Sequence, residues 1–308
     1  MSAPPLRIVY FGMAGAFSLL PLAALLGSRH TVAAVLVAAS QGTDNQPALE
    51  RLPPPAPAGD LPLLPSFLDR SIVHLAWESG IDLYRVRDPS ARRVADLVQD
   101  VGADVACIAC FDRLIREPLL SLLRLGFLNV HPSLLPAYRG PAPLFWTFRD
   151  GVRETGVTVH RVDAGMDTGP ILAQAPLALA DGLTGPEADH LAAALGGELL
   201  VQALDGLAAG ALVSRPQPAV GWSNPLPGAE DFRLDPAWSA RRAFNFMRGA
   251  AEWGIAFTVD LDGRTLALTC GLAYNESERQ SAPVIRDGNT VSVQFAPGVL
   301  RASVGIGV

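Results

Sequence analysis

The sequence predicts an α/β protein in which a parallel sheet covered by helices is followed by a small β-barrel. The chain opens with a strand, a glycine turn, a helix and a second strand, which is the β-α-β pattern of a parallel sheet. Short strands separated by D-G and P-G turns fill the C-terminal part, as in small barrels. Between the two, the four prolines of Arg215–Ala229 indicate a linker. The predicted domains are therefore residues 1–210 and 230–308, joined by a linker over 211–229.

The first elements form a Rossmann-like unit. Leu6–Phe11 is a short apolar strand, Gly12-Met-Ala-Gly15 a turn, Ala16–Leu26 a helix and Val32–Val37 a second strand. The turn lacks the G-x-G-x-x-G spacing with which such units bind dinucleotides, and no acidic residue closes the second strand. We therefore expect a tight turn here and no nicotinamide cofactor.

Hydrophobic periodicity and turn residues predict the remaining elements. The proline-rich stretch Ser40–Ser66 is expected to be a loop or extended excursion. A capping box at Thr184-Gly-Pro-Glu187 opens a helix that runs to about Ala208. Further helices are predicted at Ile72–Gly80, Pro89–Gly102, Glu117–Leu125 and Ala240–Arg248. Further strands are predicted at Asp82–Val86, Val105–Cys110, Leu128–Val130, Gly156–Val162, Ala256–Val259, Thr265–Leu268, Val284–Ile285, Val291–Phe295 and Leu300–Val304.

Composition narrows the classes of function. All 24 basic residues are arginines, so chemistry based on a Schiff-base or P-loop lysine is excluded. The net charge of −6 argues mildly against a dominant nucleic-acid surface. Glycines and a proline interrupt the apolar run Ile8–Leu26, which therefore fits strand, turn and helix better than a signal peptide. We find no other apolar run long enough to span a membrane.

The three cysteines predict a reducing, cytoplasmic location, because their number is odd and no export signal is present. Cys107 and Cys110 form a C-x-x-C pair inside the apolar run Val105–Phe111. On a strand these two thiols face opposite sides, and no companion ligands stand at zinc spacing. We therefore predict core thiols and no metal site.

Two motifs point to chemistry. In the first, Leu128-Asn129-Val130-His131-Pro132-Ser133-Leu134-Leu135-Pro136-Ala137-Tyr138-Arg139-Gly140, an amide and an imidazole stand two residues apart at the end of an apolar run. Residues i and i+2 share one face of a strand, so Asn129 and His131 should face one pocket. The second motif, Asp163-Ala-Gly-Met-Asp167-Thr-Gly, brings a carboxylate after another strand. Acyl transfer to an amine needs such groups: the amide steadies an oxyanion, the imidazole moves protons and the carboxylate orients the imidazole.

The pair N-x-H-x-S-L-L-P-x-x-R-G and D-x-G-x-D-T-G resembles the 10-formyltetrahydrofolate-dependent N-formyltransferases, and overall most the methionyl-tRNA formyltransferases. The resemblance covers roughly residues 5 to 210 well and the remainder weakly. It implies a Rossmann-like formyltransferase domain, a small OB-like barrel domain and 10-formyltetrahydrofolate as formyl donor. It does not specify the amine acceptor.

The resemblance also implies roles for individual residues. Asn129 and His131 would stabilise the tetrahedral intermediate, and Asp167, immediately before Thr-Gly, would transfer the proton. The folate pocket would be built from two backbone segments, with the rigid loop at Ser133, Leu134, Leu135 and Pro136 as a wall. The first segment corresponds here to Phe111, Asp112, Arg113, Leu114 and Ile115. The second corresponds to Val162–Asp167, with Val162, Asp163 and Ala164 as the expected folate contacts. Methionyl-tRNA formyltransferases usually have Tyr-Gly-Leu-Ile-Leu in the first segment, so this chain departs from them there.

For three residues, the sequence allows two different roles. Asp163 competes with Asp167 for the carboxylate role, but we expect its side chain to bond backbone amides and hold the loop. His160 alternates along a strand next to Asp163 and is either a core histidine or part of the cleft wall. Arg139 could hold an anion, such as a phosphate or a glutamate tail, or form a structural ion pair.

The remaining hypotheses differ mainly in the amine that accepts the formyl group. Methionyl-tRNA is favoured because a barrel follows the catalytic domain, and an amino sugar nucleotide or a hydroxyornithine-type amine is the alternative. A catalytically silent folate- or RNA-binding module is the non-enzyme alternative. The loop within Ser40–Asp69 has Arg51 within it and Arg70 just beyond it, so tRNA would have to bind through C-terminal arginines. These are Arg233, Arg241, Arg242 and Arg248. No membrane association and no obligate protein partner are implied.

Overall fold

The structure, a computed structural model, describes residues 3–39, 46–55, 71–218 and 223–305. The chain forms two compact units, each built from separate segments. Unit 1 consists of Met1–Ala137, Gly156–Ala175 and Ala192–Gly221, and unit 2 of Tyr138–Thr155, Pro176–Leu191 and Trp222–Val308. The units therefore do not follow one another along the chain as the predicted domains 1–210 and 230–308 do.

A sheet of eight strands organises the first two thirds of the chain. Its strands are β1 (Arg7–Gly12), β2 (Thr31–Ala38), β3 (Leu49–Arg51), β4 (Asp82–Val86), β5 (Val105–Ala109), β6 (Phe127–His131), β7 (Glu154–Arg161) and β8 (Ile171–Ala178). Their order is β3-β4-β2-β1-β5-β6-β7-β8. The pairs from β4 to β6 are parallel, whereas β3 runs antiparallel to β4 and β7 antiparallel to β6. The predicted parallel-rich α/β sheet is confirmed.

Where the structure describes this part of the chain, five helices accompany the sheet. They are α1 (Ala16–Leu26), α2 (Ile72–Glu78), α3 (Arg92–Asp100), α4 (Pro143–Asp150) and α5 (Gly185–Ala208). The predicted capping box opens α5: the Thr184 backbone N–H donates to Glu187 Oε2 at 2.9 Å, and the Glu187 N–H donates to Thr184 Oγ1 at 3.4 Å. The central strands are buried on both faces, which explains their continuous apolar sequences.

One local prediction in unit 1 is wrong. Glu117–Leu125 forms a series of turns instead of a helix, although Leu119 and Leu123 are buried at helical spacing. The Leu122 N–H bonds Leu119 O at 3.1 Å and the Gly126 N–H bonds Leu123 O at 3.0 Å, so these residues close separate tight turns. In the predicted loop Ser40–Ser66, residues 49–51 form β3 by pairing with β4. Residues 40–45 and 56–66 of that loop lie outside the described residues.

The prediction that Cys107 and Cys110 are core thiols is confirmed for Cys107 and wrong for Cys110. Cys107 is fully buried in β5, and burial raises the pKa of its thiol far above the ordinary value. Cys110 follows the end of the strand, has a left-handed backbone (φ 56°) and is exposed. It is therefore not a core thiol, because the strand ends before its side chain can face the interior.

The C-terminal part contains a second sheet of six strands. They are β9 (Arg233–Leu234), β10 (Phe257–Leu261), β11 (Arg264–Asn275), β12 (Val284–Asp287), β13 (Thr290–Gln294) and β14 (Val299–Val304). The order is β12-β13-β14-β11-β10-β9, and one helix, α6 (Ala240–Gly249), packs against β11 and β14. The predicted strand Thr265–Leu268 is part of the much longer β11. The β-rich C-terminal part is confirmed as a sheet of β-strands.

An aromatic cluster forms the core of unit 2. Phe246 of α6 is fully buried, and its ring lies 5.3 Å from those of Phe145 and Phe257 and 6.2 Å from that of Phe232. Phe145 belongs to α4, which sequence periodicity did not predict. Burial of this apolar face of α4 explains why Tyr138–Thr155 groups with the C-terminal residues.

The C-terminal arginines that we expected to form a basic face have partners within unit 2. Arg241 pairs with Asp181, and Arg233 pairs with Asp260 at 2.6 Å. Arg242 donates to the Arg149 carbonyl at 2.6 Å and lies 3.9 Å from the centroid of the Trp238 ring. Arg248 Nε donates to the Gly182 carbonyl at 3.2 Å. These side chains therefore stabilise the unit to which they belong.

Helix α5 is long and apolar enough to cross a membrane by length and composition. The expectation that no apolar run other than Ile8–Leu26 is long enough to span a membrane is therefore wrong by these two criteria. Core helices of soluble proteins pass the same test, and Ala192, Leu200 and Leu204 of this helix are buried against the protein. Its composition is therefore weak evidence for a membrane span.

A buried histidine makes the stability of unit 1 depend on pH. His30 Nδ1 accepts the Leu6 backbone N–H at 3.0 Å, so protonation of Nδ1 would break this bond. Burial lowers the pKa of His30 below 6.5, Asp205 partly opposes the shift, and Arg29 adds to it. The folded protein thus binds this proton less tightly than the unfolded chain.

We predict that the free energy of unfolding is constant above about pH 6.5 with respect to this group and falls as the pH decreases toward the folded pKa. The slope stays below about 1.4 kcal/mol per pH unit, which is the limit for the release of one proton. Denaturant titrations at several pH values test this. The control His30→Asn keeps an acceptor for Leu6 and does not titrate. Identical pH dependence in both proteins would contradict the prediction.

Candidate active site

The site is built on the pairing of two strands of the large sheet. In the antiparallel pair β6–β7, Asn129 stands opposite His160 and His131 opposite Thr158. Asn129 and His131 are two residues apart, so both side chains lie on one face of the sheet. His131 and His160 are buried, with 4% and 1% of their surfaces exposed, whereas Asn129 is partly exposed. One face of two neighbouring strands thus carries an amide and two imidazoles.

The carboxylate of Asp167 lies at the centre of these three side chains. Its Oδ2 is 3.7 Å from His131 Nδ1, and its Oδ1 is 3.6 Å from His160 Nε2 and 3.5 Å from Asn129 Nδ2. These distances are within ion-pair range but longer than good hydrogen bonds. Catalytic hydrogen bonds are often long before substrate binds. The structure therefore brings the three predicted catalytic residues together, with His160 as a fourth member.

His160 fixes the orientation of the Asn129 amide. His160 Nδ1 lies 2.8 Å from the Arg161 carbonyl oxygen, and because a carbonyl can only accept, Nδ1 carries the hydrogen. In the neutral ring Nε2 is then an acceptor, and Asn129 Nδ2 lies 3.2 Å from it. The NH₂ group of Asn129 therefore faces two acceptors, His160 and Asp167. Sequence reasoning left His160 open, and the signal that could have found it is its register opposite Asn129.

The loop that carries Asp167 has a constrained backbone. Asp167 has φ 54°, a left-handed conformation that Asp tolerates better than most residues. The Asp163 carboxylate braces the loop, since its Oδ1 accepts the Thr168 hydroxyl at 2.6 Å and the Gly165 N–H at 3.1 Å. A Cβ on Gly169 would lie 1.8 Å from the Arg161 carbonyl oxygen, so only glycine fits there. Asp163 thus bonds within the loop, as we inferred from the sequence.

A cavity of about 400 Å³ opens beside these side chains. Asn129, His160 and Asp167 form part of its lining, whereas His131 lies outside the lining of this cavity. Further lining residues come from the two segments that the resemblance assigned to the folate, here Phe111, Arg113, Leu114, Ile115, Val162, Asp163 and Ala164. Gly165 and Met166 of the second segment also line the cavity, and sequence reasoning missed four further lining residues, namely Ile108, Arg116, Glu117 and Leu120.

Five residues expected at the folate site are not part of the cavity lining. Asp112 is one; the others, Ser133, Leu134, Leu135 and Pro136, form the turn after His131. Ser133 is fully buried and its hydroxyl donates to the Ala137 carbonyl at 2.6 Å. Thr158 Oγ1 donates to the Ser133 carbonyl and accepts the Leu135 N–H. This turn therefore braces the strand end that carries His131.

Among the described residues, no group of three or more His, Cys, Asp or Glu side chains is arranged to hold a metal ion. The chemical groups available at the site are an amide, two imidazoles and a carboxylate. These groups can donate to a developing oxyanion and exchange a proton with an amine.

Comparison with known proteins agrees with this chemistry. The model of the formyl transferase family matches residues 7–204. The chain belongs to this family. Two methionyl-tRNA formyltransferases are among its relatives. That of Chromohalobacter salexigens is 33% identical over 305 residues, which covers 97% of this chain and 85% of that protein. That of Anaeromyxobacter dehalogenans is 42% identical over 185 residues, which covers 59% of this chain and 57% of that protein's length.

The fold of this formyl transferase also occurs in a solved structure. The N-formyltransferase from Helicobacter canadensis, in complex with folinic acid and dTDP-3-aminofucose, superposes with a TM-score of 0.66. The superposition covers 97% of this chain and 99% of that one, at 14% sequence identity. At this identity the likeness shows a common fold.

We predict that His131→Ala and Asp167→Asn each lower kcat for formyl transfer by roughly 100-fold or more, as expected for loss of an acid–base group. Asn tolerates the left-handed backbone of Asp167, so this variant should keep the loop conformation. Steady-state kinetics with a 10-formyl donor give kcat, and melting temperatures control for folding. Near-normal turnover in both variants would refute the assignment.

We further predict that Asn129→Ala lowers kcat by about 100- to 1,000-fold, as for loss of an oxyanion donor. His160→Ala should lower it less, because Asn129 stays in place but loses the acceptor that orients it. His160→Gln offers an acceptor near the position of Nε2 and should restore most of the rate. If His160→Gln is as slow as His160→Ala, the orienting role of His160 is wrong.

Proposed function

We propose that the protein transfers the formyl group of 10-formyltetrahydrofolate to the amino group of methionyl-tRNA. The observation that carries this proposal is the cluster of Asn129, His131, His160 and Asp167 beside a cavity lined by both expected folate segments. Similarity to a methionyl-tRNA formyltransferase over 97% of the chain supports tRNA as acceptor. Folinic acid bound by a protein of the same fold supports the folate donor.

The groups of the site suit each step of the transfer. The amine attacks the formyl carbon, a C–N bond forms, and the carbonyl oxygen becomes an oxyanion. Asn129 Nδ2 can donate to this oxygen, because its bond toward Asp167 is long at 3.5 Å. The attacking amine must lose a proton, for which Asp167 and His131 are the candidate acceptors. The bond from the formyl carbon to N10 of the folate then breaks, and N10 takes up a proton.

Asp167 is suited to accept the proton of the amine because the imidazoles of His131 and His160 lie within 3.7 Å of its oxygens. An imidazole that gains a proton beside a carboxylate is stabilised by the opposite charge. The proton released by the amine can therefore stay within the site until N10 accepts it. The buried positions of His131 and His160 limit competition by water for these contacts.

The cavity side chains suit a folate. Backbone of the segments Phe111–Ile115 and Val162–Asp167 can read the amide-like edge of a pterin. The exposed apolar side chains of Leu114 and Met166 can cover an aromatic ring. Arg113 and Arg116 supply positive charge along the lining, as a carboxylate-bearing donor requires.

We also propose that the C-terminal sheet is the small OB-like barrel of the resemblance and that residues 1–210 carry the catalytic groups. Register shifts in β11 near Leu268 and Gly271 support a curved sheet, because bulges bend a strand. A cytoplasmic location fits the proposed activity.

A second acceptor has support of its own. The Helicobacter canadensis protein of the same fold is described with dTDP-3-aminofucose, and it covers this chain almost completely. An amino sugar nucleotide, or a hydroxyornithine-type amine, is therefore the alternative substrate. The paired C-terminal arginines weaken the case for a dedicated basic surface that binds tRNA.

The acceptors can be separated by mass spectrometry and salt dependence. We expect methionyl-tRNA to gain the mass of one formyl group, and a dTDP-amino sugar and hydroxyornithine to remain unmodified. The rate with tRNA should fall steeply between roughly 50 and 200 mM salt, since neutralised phosphates release counterions. A small amine would give a nearly flat profile. Absence of formyl-methionyl-tRNA would refute this acceptor and leave the catalytic assignment standing. A flat profile with methionyl-tRNA would refute binding through phosphate contacts.

A further inference from the structure

A glutamine from the predicted linker reaches the loop that carries Asp167. Gln217 Nε2 donates to the Asp167 carbonyl at 2.9 Å and to the Gly169 carbonyl at 2.7 Å. One NH₂ group thus uses both hydrogens on the carbonyls that flank Thr168. The partly buried position of Gln217 lessens competition from water for these bonds.

The chain around Gln217 is itself fixed to the sheet. The Arg215 N–H donates to the Ile171 carbonyl and the Ile171 N–H to the Arg215 carbonyl, both at 2.8 Å. Arg215 also donates from its guanidinium to Gln174 Oε1 at 2.9 Å. These bonds pair residue 215 with the first residue of β8 in an antiparallel bridge. Gln217 is therefore presented to the loop from a fixed backbone.

The loop needs such support because Asp167 has a backbone conformation that is rarely populated outside glycine. Its φ of 54° is strained for a residue with a side chain and persists where the surroundings impose it. Asp163 braces the loop through its carboxylate, at the Gly165 N–H and the Thr168 hydroxyl. Gln217 donates to the carbonyls of Asp167 and Gly169. Asp163 cannot do so, because an ionised carboxylate has no hydrogen to donate. In this loop, Asp163 therefore accepts from a backbone N–H group, and Gln217 donates to two backbone carbonyl groups.

We propose that Gln217 is a positioning residue for the reaction: its two hydrogen bonds hold the peptide of Asp167 so that the carboxylate stays between His131 and His160. This inference rests on the proposed function, because it assigns consequences to the placement of Asp167. Gln217 acts through the backbone of the loop. A shift of the carboxylate by about 1 Å is enough to lower a rate by up to about 100-fold.

The chemistry of Gln217 predicts different results for two substitutions. Gln217→Ala removes both donors. Gln217→Glu keeps size and shape, but its carboxylate has no hydrogen to donate and is repelled by two carbonyl oxygens. We expect both variants to lower kcat about 10- to 100-fold, with Glu no better than Ala, and to change the dissociation constant for folinic acid less than about 3-fold. A role in filling space would leave Gln217→Glu close to the unsubstituted protein.

The experiment compares kcat with 10-formyltetrahydrofolate and methionyl-tRNA for the full chain, Gln217→Ala, Gln217→Glu, Asp167→Asn and the double variant Gln217→Ala/Asp167→Asn. If Gln217 acts through Asp167, Gln217→Ala has little further effect in the Asp167→Asn background. Gln294→Ala is the matched control. Gln294 Nε2 also donates to two backbone carbonyls, of Phe295 at 2.8 Å and Gly298 at 2.9 Å, within the C-terminal sheet.

Each outcome decides between the possibilities. Non-additive losses, with Gln294→Ala near the normal kcat, support the positioning role. Normal kcat in Gln217→Ala together with a slow Asp167→Asn overturns this inference and leaves the proposed function intact. Equal losses in both backgrounds, accompanied by weaker folinic acid binding and a lower melting temperature, show a structural role and also overturn it. Normal kcat in Asp167→Asn overturns the inference, because Asp167 then needs no positioning, and leaves the proposed function intact. No turnover by the unsubstituted protein overturns the proposed function and with it the inference.

Discussion

The antiparallel register of β6 against β7 is the constraint on which the site depends. It sets Asn129 opposite His160, so that the amide of one strand bonds the imidazole of the other at 3.2 Å. Side chains alternate between the faces of a strand, and a slip of one residue would turn His160 away from Asn129. The buried braces at Ser133 and Thr158 lock this register, because Thr158 bonds both Ser133 and Leu135 in the turn after β6.

The position of Asp167 depends on a second set of constraints, in the loop after β7. The Arg161 N–H bonds the Pro170 carbonyl, and Gly169 lies so close to the Arg161 carbonyl that a side chain cannot be accommodated. Together these contacts close the loop Asp163–Gly169 at its base. The left-handed backbone of Asp167 then directs its carboxylate toward the two imidazoles of the sheet. The D-T-G motif therefore combines a chemical group with the backbone geometry that aims it.

Unit 2 shows how packing overrides the order of the sequence. Tyr138–Thr155 directly follows the signature motif, and the sequence gives no sign that it belongs with the C-terminal residues. Phe145 packs against Phe232 and Phe246, which are about 90 to 100 residues later in the chain. The arginines of this unit also bond residues that are distant in the sequence. Asp181 accepts from Arg241, Asn245 and Tyr274, which lowers its pKa to about 2.

The sequence by itself determined the parallel-rich sheet, most of its elements and the family, because local periodicity, turn residues and the two motifs are properties of short segments. It also identified Asn129, His131 and Asp167 as candidates, since their residue types and spacing suit acyl transfer. It could not identify α4, β3 or the turns at Glu117–Leu125, whose form depends on which distant residues cover them. The tertiary structure alone decided that His160 joins the site and that Gln217 bonds the Asp167 loop. Both contacts join residues 31 and 50 positions apart, and hydrogen bonds at such separations are fixed by strand register and chain path, which no local pattern encodes.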